Sequence, residues 1–237
     1  MARGLSLIAG GAVRADIRPA QFDRLPNGMG ERWSIPAPSI PTLSELFAAH
    51  ARDAGWAGFL LPQVDRARPL LWVQERMAIL ESGRIYPPGL GCPGLIHVEA
   101  RDARAALWAM EEGLRCSALS AVIGELWGDP ASLDFTATRR LAVAAERSGV
   151  ACWLVRLSGT ANLSGARMRW RIGSRPSLAN AFDPRAPGQA AWDAELFRSR
   201  TSPPGRWNVA YDSAAHAFHL VAEPGGGALG QIERLTA

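Results

Sequence analysis

Leu70-Leu71-Trp72-Val73, Gly94-Leu95-Ile96-His97-Val98, Leu119-Ser120-Ala121-Val122-Ile123 and Val150-Ala151-Cys152-Trp153-Leu154-Val155 are four short apolar runs inside one stretch, Leu70 to Leu157. Each is bounded by Gly, Pro or charge, and none alternates with polar residues. Such runs read as strands covered on both faces, where no side chain has to meet water. Asp102 to Cys116 separates the second run from the third, and Thr136 to Ser148 separates the third from the fourth. Both carry helical signals: Asp102 as an N-cap with Leu107, Met110 and Leu114 on one face, and Gly149 as a stop. Strand, helix, strand, helix, strand predicts an α/β fold with a mostly parallel sheet and right-handed crossovers.

Outward from this block the pattern changes in both directions. Residues 1–41 are rich in Pro, Gly and Arg, and Ser34-Ile35-Pro36-Ala37-Pro38-Ser39-Ile40-Pro41 cannot be helical. They read as an N-terminal arm, a tail or a partner-binding segment. Leu5 to Val13 resembles a short signal peptide but contains Gly10 and Gly11 and has no clear cleavage site. Residues 42–221 form the expected core. Thr42-x-x-Glu45 has the form of a capping box, and Leu43, Leu46, Phe47 and Ala51 fit a helix ending at Gly55. Gly58-Phe59-Leu60-Leu61-Pro62 reads as a strand or a buried turn, and Arg84 to Gly89 as a rigid turn. Trp108 lies off its helix's apolar line and is expected to cover a sheet edge.

From Arg167 onward Met168, Trp170 and Ile172 alternate with Arg167, Arg169 and Arg171, the period of a half-buried strand. Ala194–Arg200, Arg206–Tyr211 and Ala215–Val221 continue as strands. The last two are expected to pair antiparallel across Asp212-Ser213-Ala214. Residues 222–237, with Gly225-Gly226-Gly227, read as a flexible tail.

Of the 237 residues 26 are Lys or Arg, and every one is Arg. A phosphate loop with its lysine is therefore impossible here, as is a Schiff-base lysine. Arginine cannot act as a base in their place. At the corresponding position Ala54-Gly55-Trp56-Ala57-Gly58 offers two glycines and no Lys, Ser or Thr. The net charge of +4 leans towards an acidic partner without naming one. Cys92, Cys116 and Cys152 are scattered, which fits reduced thiols and a cytoplasmic setting. No run approaches a membrane span. No Gly-x-Ser-x-Gly elbow and no zinc spacing occurs, and His216 and His219 face opposite ways on a strand. Glu75 follows a parallel strand, at the edge where α/β folds collect ligands, and reads either as a water-orienting acid or as a charge opening a helix. What remains is arginine. Arg198, Arg200 and Arg206 with Trp207 surround a proline-stiffened turn, which fits an interface anchor, a nucleic-acid contact or a charge-blunted edge strand.

Leu107-Trp108-Ala109-Met110-Glu111-Glu112-Gly113-Leu114-Arg115, Ala121-Val122-Ile123-Gly124-Glu125, Arg139-Arg140-Leu141 with Ala144 to Gly149, Arg169-Trp170-Arg171-Ile172, and Arg198-Ser199-Arg200 with Pro204-Gly205-Arg206-Trp207 occur in that order. Together they resemble the ImuA proteins, RecA-like accessory factors of damage-induced (SOS) mutagenesis in bacteria. The resemblance runs from about Leu70 to Leu220. It implies a RecA-like core that has lost its phosphate loop, binds no cofactor and acts in translesion synthesis by protein contact. The implied partners are an ImuB-like inactive polymerase homologue and an error-prone replicative-type polymerase, with RecA and DNA as further candidates and no membrane. It places Glu75 where RecA proteins carry a water-orienting glutamate, and Gly124-Glu125 at their metal-binding strand end. Arg198 and Arg200 fall where RecA reaches a neighbouring subunit. Without a lysine, Glu75, Gly124 and Glu125 are expected to be vestigial. A weak DNA-binding protein and a degenerate RecA-type ATPase are the alternatives.

Overall fold

The computed structural model describes residues 34–221. The arm up to Trp33, including the signal-like Leu5–Val13, and the tail from Ala222 lie outside the described residues. Nine strands form one mixed sheet in the order β3-β2-β4-β5-β1-β6-β7-β8-β9. The four apolar runs become β2 (Leu70–Glu75), β3 (Leu95–Ala100), β4 (Ala121–Trp127) and β5 (Ala151–Leu157), all parallel. β6 (Met168–Arg175) runs parallel to β1, and β7 (Ala191–Ser199), β8 (Gly205–Asp212) and β9 (Ala217–Leu220) then turn antiparallel. The sheet is thus α/β and mostly parallel, with antiparallel strands at its C-terminal side.

The largest correction concerns Leu43–Ala48. The segment is not a capped helix but β1, the strand between β5 and β6 at the centre of the sheet. The spacing that suggested one helical face also places Leu43, Glu45 and Phe47 on one side of a strand and Ser44, Leu46 and Ala48 on the other. Tertiary burial decides between the two, because Leu43 to Phe47 are all buried. The expected cap does not form, since the Thr42 hydroxyl donates to Glu146 Oε1 at 3.0 Å.

Two apolar layers sandwich the parallel half. On one face α4 (Ala103–Gly113) and α5 (Phe135–Ser148) pack over Leu71, Val73, Val122 and Leu154. The Asp102 cap and the Gly149 stop are as read from sequence: Asp102 accepts from Ala105 N–H and Gly149 closes α5 at φ +71°; α5 is also capped by Asp134, which accepts from Ala137 N–H. Gly124 lets α4 lie down on β4, because a Cβ there would fall 2.1 Å from Met110 Sδ. On the other face α1 (Trp56–Leu60), the following 3-10 turn (Leu61–Gln63) and α2 (Arg76–Ser82) cover Trp72, Ile123, Trp153 and Trp170. The Gly58–Pro62 run therefore belongs to a short helix and turn. The expected rigid turn at Arg84–Gly89 contains the single-turn helix α3 (Pro87–Leu90).

Three further expectations shift. β3 is an edge strand and is not covered on both faces, with Ile96 50% exposed. Trp108 covers no sheet edge and stands 66% exposed on α4. The third apolar run does not end at Gly124-Glu125. β4 continues to Trp127, because Leu126 and Trp127 still pair with Arg156 and Leu157 of β5.

Candidate functional site

The carboxyl ends of β1, β2, β4 and β5 meet at one edge of the sheet, where open α/β folds take ligands. Glu75 ends β2 and is buried. Its Oε2 accepts the Trp127 N–H at 2.9 Å, so it latches the end of β2 to the end of β4. Burial raises its pKa, the Trp127 N–H opposes that shift, and the Asp102 charge reinforces it. The residue is neither a solvated charge nor turned to open solvent.

Glu125 lies one strand across, on the opposite face, and is 2% exposed. Trp72 Nε1 donates to its Oε1 at 2.5 Å and Gln74 Nε2 to its Oε2 at 3.1 Å. Gln74 is itself fixed: its Nε2 also donates to Gly83 O, and its Oε1 accepts from the Ile85 N–H and lies 3.0 Å from His97 Nε2. Burial pushes the Glu125 carboxyl up to about 7, against the two donors that favour its charge. A cavity of about 170 Å³, lined by Trp56, Trp72, Gln74, Arg84, Glu125 and Leu157, opens beside it. An acid with this pKa can exchange a proton near neutral pH, although both of its oxygens are already engaged.

The segment after β1, where the sequence would place a phosphate loop, is tied to the antiparallel pair of β6 and β7. Asp53 accepts from the Gly55 N–H at 2.9 Å and from the Ser174 N–H and hydroxyl at 2.7 and 2.5 Å. Trp192 Nε1 donates to Gly55 O at 2.7 Å. The two glycines make room for neighbours: a Cβ at Gly55 would fall 1.9 Å from Ser174 Oγ, and one at Gly58 would fall 2.8 Å from Trp192.

A second polar cluster, not found by reading the sequence, lies on the α4–α5 face. Glu45 is completely buried on β1. It accepts from Arg169 Nε at 2.6 Å and the Ser164 hydroxyl at 2.9 Å, and stands 3.9 Å from Arg156. Arg156 reaches Asp129 at 2.5 Å, and Asp129 also accepts from the Thr160 N–H and hydroxyl. Burial would raise the Asp129 carboxyl, but the Thr160 donors and Arg156 hold it below its ordinary range. The Phe47 ring lies between the Arg156 and Arg169 guanidiniums, and Phe197 between those of Arg169 and Arg171. Arg156 Nε and Arg169 Nη2 are buried with no hydrogen-bond partner among the described residues. The signal available in the sequence was a lone charge inside each of two apolar runs, Glu45 in Leu-Ser-Glu-Leu-Phe and Arg156 in Leu-Val-Arg-Leu. Opposite charges so placed have to find each other.

Each arginine of the stripe has a carboxylate partner within the fold. Arg167 pairs with Glu146 at 2.6 Å, Arg169 with Glu45, and Arg171 with Glu195 at 2.5 Å. Arg198 and Arg200 are exposed. Arg198 stands in register with Arg169, and the charge of Arg200 helps hold the Glu146 carboxyl low. Arg206 makes a two-pronged pair with Asp193. Its register partner is Glu195, whereas that of Trp207 is Ala194, so Arg206 and Trp207 point to opposite faces. The Trp207 ring packs 6.2 Å from that of Trp170. The structure thus gathers Arg198, Arg200 and Arg206 on the α5 side and sets Trp207 on the other. Among the described residues no group of three His, Cys, Asp or Glu is placed to hold a metal ion.

No family model matches the chain. Protein ImuA of Caulobacter vibrioides, in strains NA1000 / CB15N and ATCC 19089 / CIP 103742 / CB 15, is 32% identical to it over 166 residues. The match takes in 63% of this chain and 63% of the length of each relative. This likeness adds to the ordered motifs that run through β4, α5, β6 and β7. The chain is a homologue of Protein ImuA over the matched region, which supports its membership of the ImuA family.

Proposed function

We propose that the chain is a non-catalytic accessory protein of damage-induced mutagenesis, a RecA-like scaffold that holds a translesion-synthesis complex together by protein contact. The partners are an ImuB-like inactive polymerase homologue and an error-prone replicative-type polymerase, with RecA as a third. The homology to ImuA supports the process. One observation carries the scaffold reading: the segment after β1 spends its backbone and glycines on Ser174 and Trp192, and the chain has no lysine to hold a phosphate. A nucleotide finds no cradle there, so the protein acts by contact and not by turnover.

Pull-down of an ImuB-like partner by the wild-type chain and by Arg198→Ala/Arg200→Ala tests the contact. Loss of capture by the double variant is the expected result, and full retention rejects the exposed end of β7 as the binding surface. ATP hydrolysis abolished by Glu75→Ala would overturn the non-catalytic reading. A degenerate nucleotide site is the second reading, favoured by the cavity beside Glu125. It requires a rise in Tm on adding nucleotide, since a ligand that binds only the folded chain stabilises it.

A further inference from the structure

The outer face of the α4–α5 pair carries a groove that the scaffold reading does not use. Its volume is about 580 Å³, and its floor is apolar, formed by Leu114, Val143 and Ala144. Arg115, Arg139, Arg140 and Arg147 surround that floor, against one acid, Glu111. Arg140 reaches Glu111 at 3.4 Å and Arg115 reaches Glu112 at 3.2 Å, both in exposed pairs that neutralise little. No carboxylate among the described residues pairs with Arg139 or Arg147. On α4, Trp108 stands three residues before Glu111, so helical spacing puts it on the flank of the helix that leads to the groove. An indole 66% in water is unusual on a helix that buries its other face well.

We infer that this groove is a docking site for an acidic amphipathic helix of a protein partner. The inference rests on the scaffold reading only in requiring a protein partner. The occupant follows from the chemistry of the walls. An apolar floor takes the apolar stripe of a helix, and guanidiniums on both rims take carboxylates on its flanks. The α5 wall runs from Thr136 to Arg147, about 16 Å at 1.5 Å per residue, which accommodates about three helical turns. A nucleic-acid backbone would leave the floor uncovered and bring phosphates against Glu111. A second copy docked by the same face would set four arginines against four.

The probe is a fluorescein-labelled synthetic helix with leucine at i, i+3, i+4 and i+7 and glutamate on both flanks, titrated into the whole chain by anisotropy. Saturable binding in the micromolar range is expected, weakened at least tenfold by Arg140→Gln/Arg147→Gln. Arg115→Gln on the other helix should act in the same direction, so the test does not depend on one variant's fold. A peptide of the same composition with its leucines scattered should not bind. No binding of the ordered peptide, binding indifferent to all three arginines, or displacement of the peptide by a 20-base-pair duplex at lower concentration overturns the inference. None of these outcomes bears on the Arg198/Arg200 pull-down, so the two proposals fail separately.

Discussion

Replacing Glu125 with glutamine tests whether the sheet holds a protonated acid at its carboxyl edge. The Glu125 pKa is about 7 in the folded chain against 4.5 for the free side chain, and burial is the main cause. Between these values the folded state binds more protons than the unfolded state, so stability falls as pH rises. The contribution is fully present below pH 4.5 and is lost as pH rises to 7. At about 1.4 kcal/mol per pH unit the whole effect is about 3 kcal/mol, of which about 2.5 kcal/mol falls between pH 5 and pH 8. Glu125→Gln cannot ionise. It also turns an amide N–H towards one of the donors that Trp72 and Gln74 supply, which adds a cost independent of pH. The informative quantity is therefore the difference in unfolding free energy between wild type and variant, measured by urea denaturation at steps from pH 5 to pH 8. That subtraction cancels Glu75, whose pKa is also raised, and His97, which burial and Arg84 depress. The variant should gain on the wild type steadily with pH. A difference that stays flat across the range refutes the reading of Glu125 as a neutral buried acid.

Arg169→Ala should destabilise the chain by about 3–5 kcal/mol, because it strands the fully buried Glu45 with Arg156 at 3.9 Å and Ser164 as its remaining partners. Glu45→Gln/Arg169→Met should recover much of that loss, and a single-variant cost below about 1 kcal/mol would show that the pair carries no such weight. Gly165→Ala should cost about 1–3 kcal/mol, read as a fall in Tm, because a Cβ there would fall 2.7 Å from the Arg139 backbone of α5, which no rotamer change relieves. An unchanged Tm would mean that the 158–167 loop does not press on α5.

The parallel half of the fold was legible because its strands are apolar throughout and its helices carry ordinary caps. Asp102 and Gly149 mark real boundaries, and the runs at Leu70, Leu119 and Val150 became inner strands. β1 was misread for a physical reason. A six-residue strand holds too few turns of either periodicity to separate them, and Thr42-x-x-Glu45 satisfies the capping-box pattern by coincidence. What settles Leu43–Ala48 as a strand is that β5 and β6 lie on either side of it, and their pairing with β1 spans more than a hundred residues. The carboxyl edge was legible in part. Glu75 sits at a strand end as expected, but whether such a residue faces solvent or a neighbouring strand depends on the Trp127 amide, 52 residues away. Glu125 could be located, yet its raised pKa comes from its burial between strands and helices distant in sequence, against the Trp72 and Gln74 donors that favour its charge, and no local pattern encodes that burial.

The arginines show the same limit more sharply, and they decide where an acidic partner could act. In sequence Arg167, Arg169 and Arg171 form the most conspicuous basic stripe, whereas Arg139, Arg140 and Arg147 make one helix basic on one side. In the fold their roles exchange. Each stripe arginine meets a carboxylate from a different element: Glu146 on α5, Glu45 on β1 and Glu195 on β7. Arg169 is paired and desolvated and Arg167 largely so, which leaves each little field to attract a distant anion and lets salt screen it weakly, whereas Arg171 and Glu195 form a more exposed pair. The helix arginines face outward, and Arg139 and Arg147 meet no carboxylate among the described residues, so the surplus positive charge of this face remains available. Ionic strength separates the two groups. An acidic ligand held by the α4–α5 groove must weaken as salt rises, whereas the Glu45–Arg169 contribution to stability should hardly change over the same range. If salt instead lowers the chain's stability and leaves ligand affinity untouched, the stripe carries the available charge and the helix face the neutralised one.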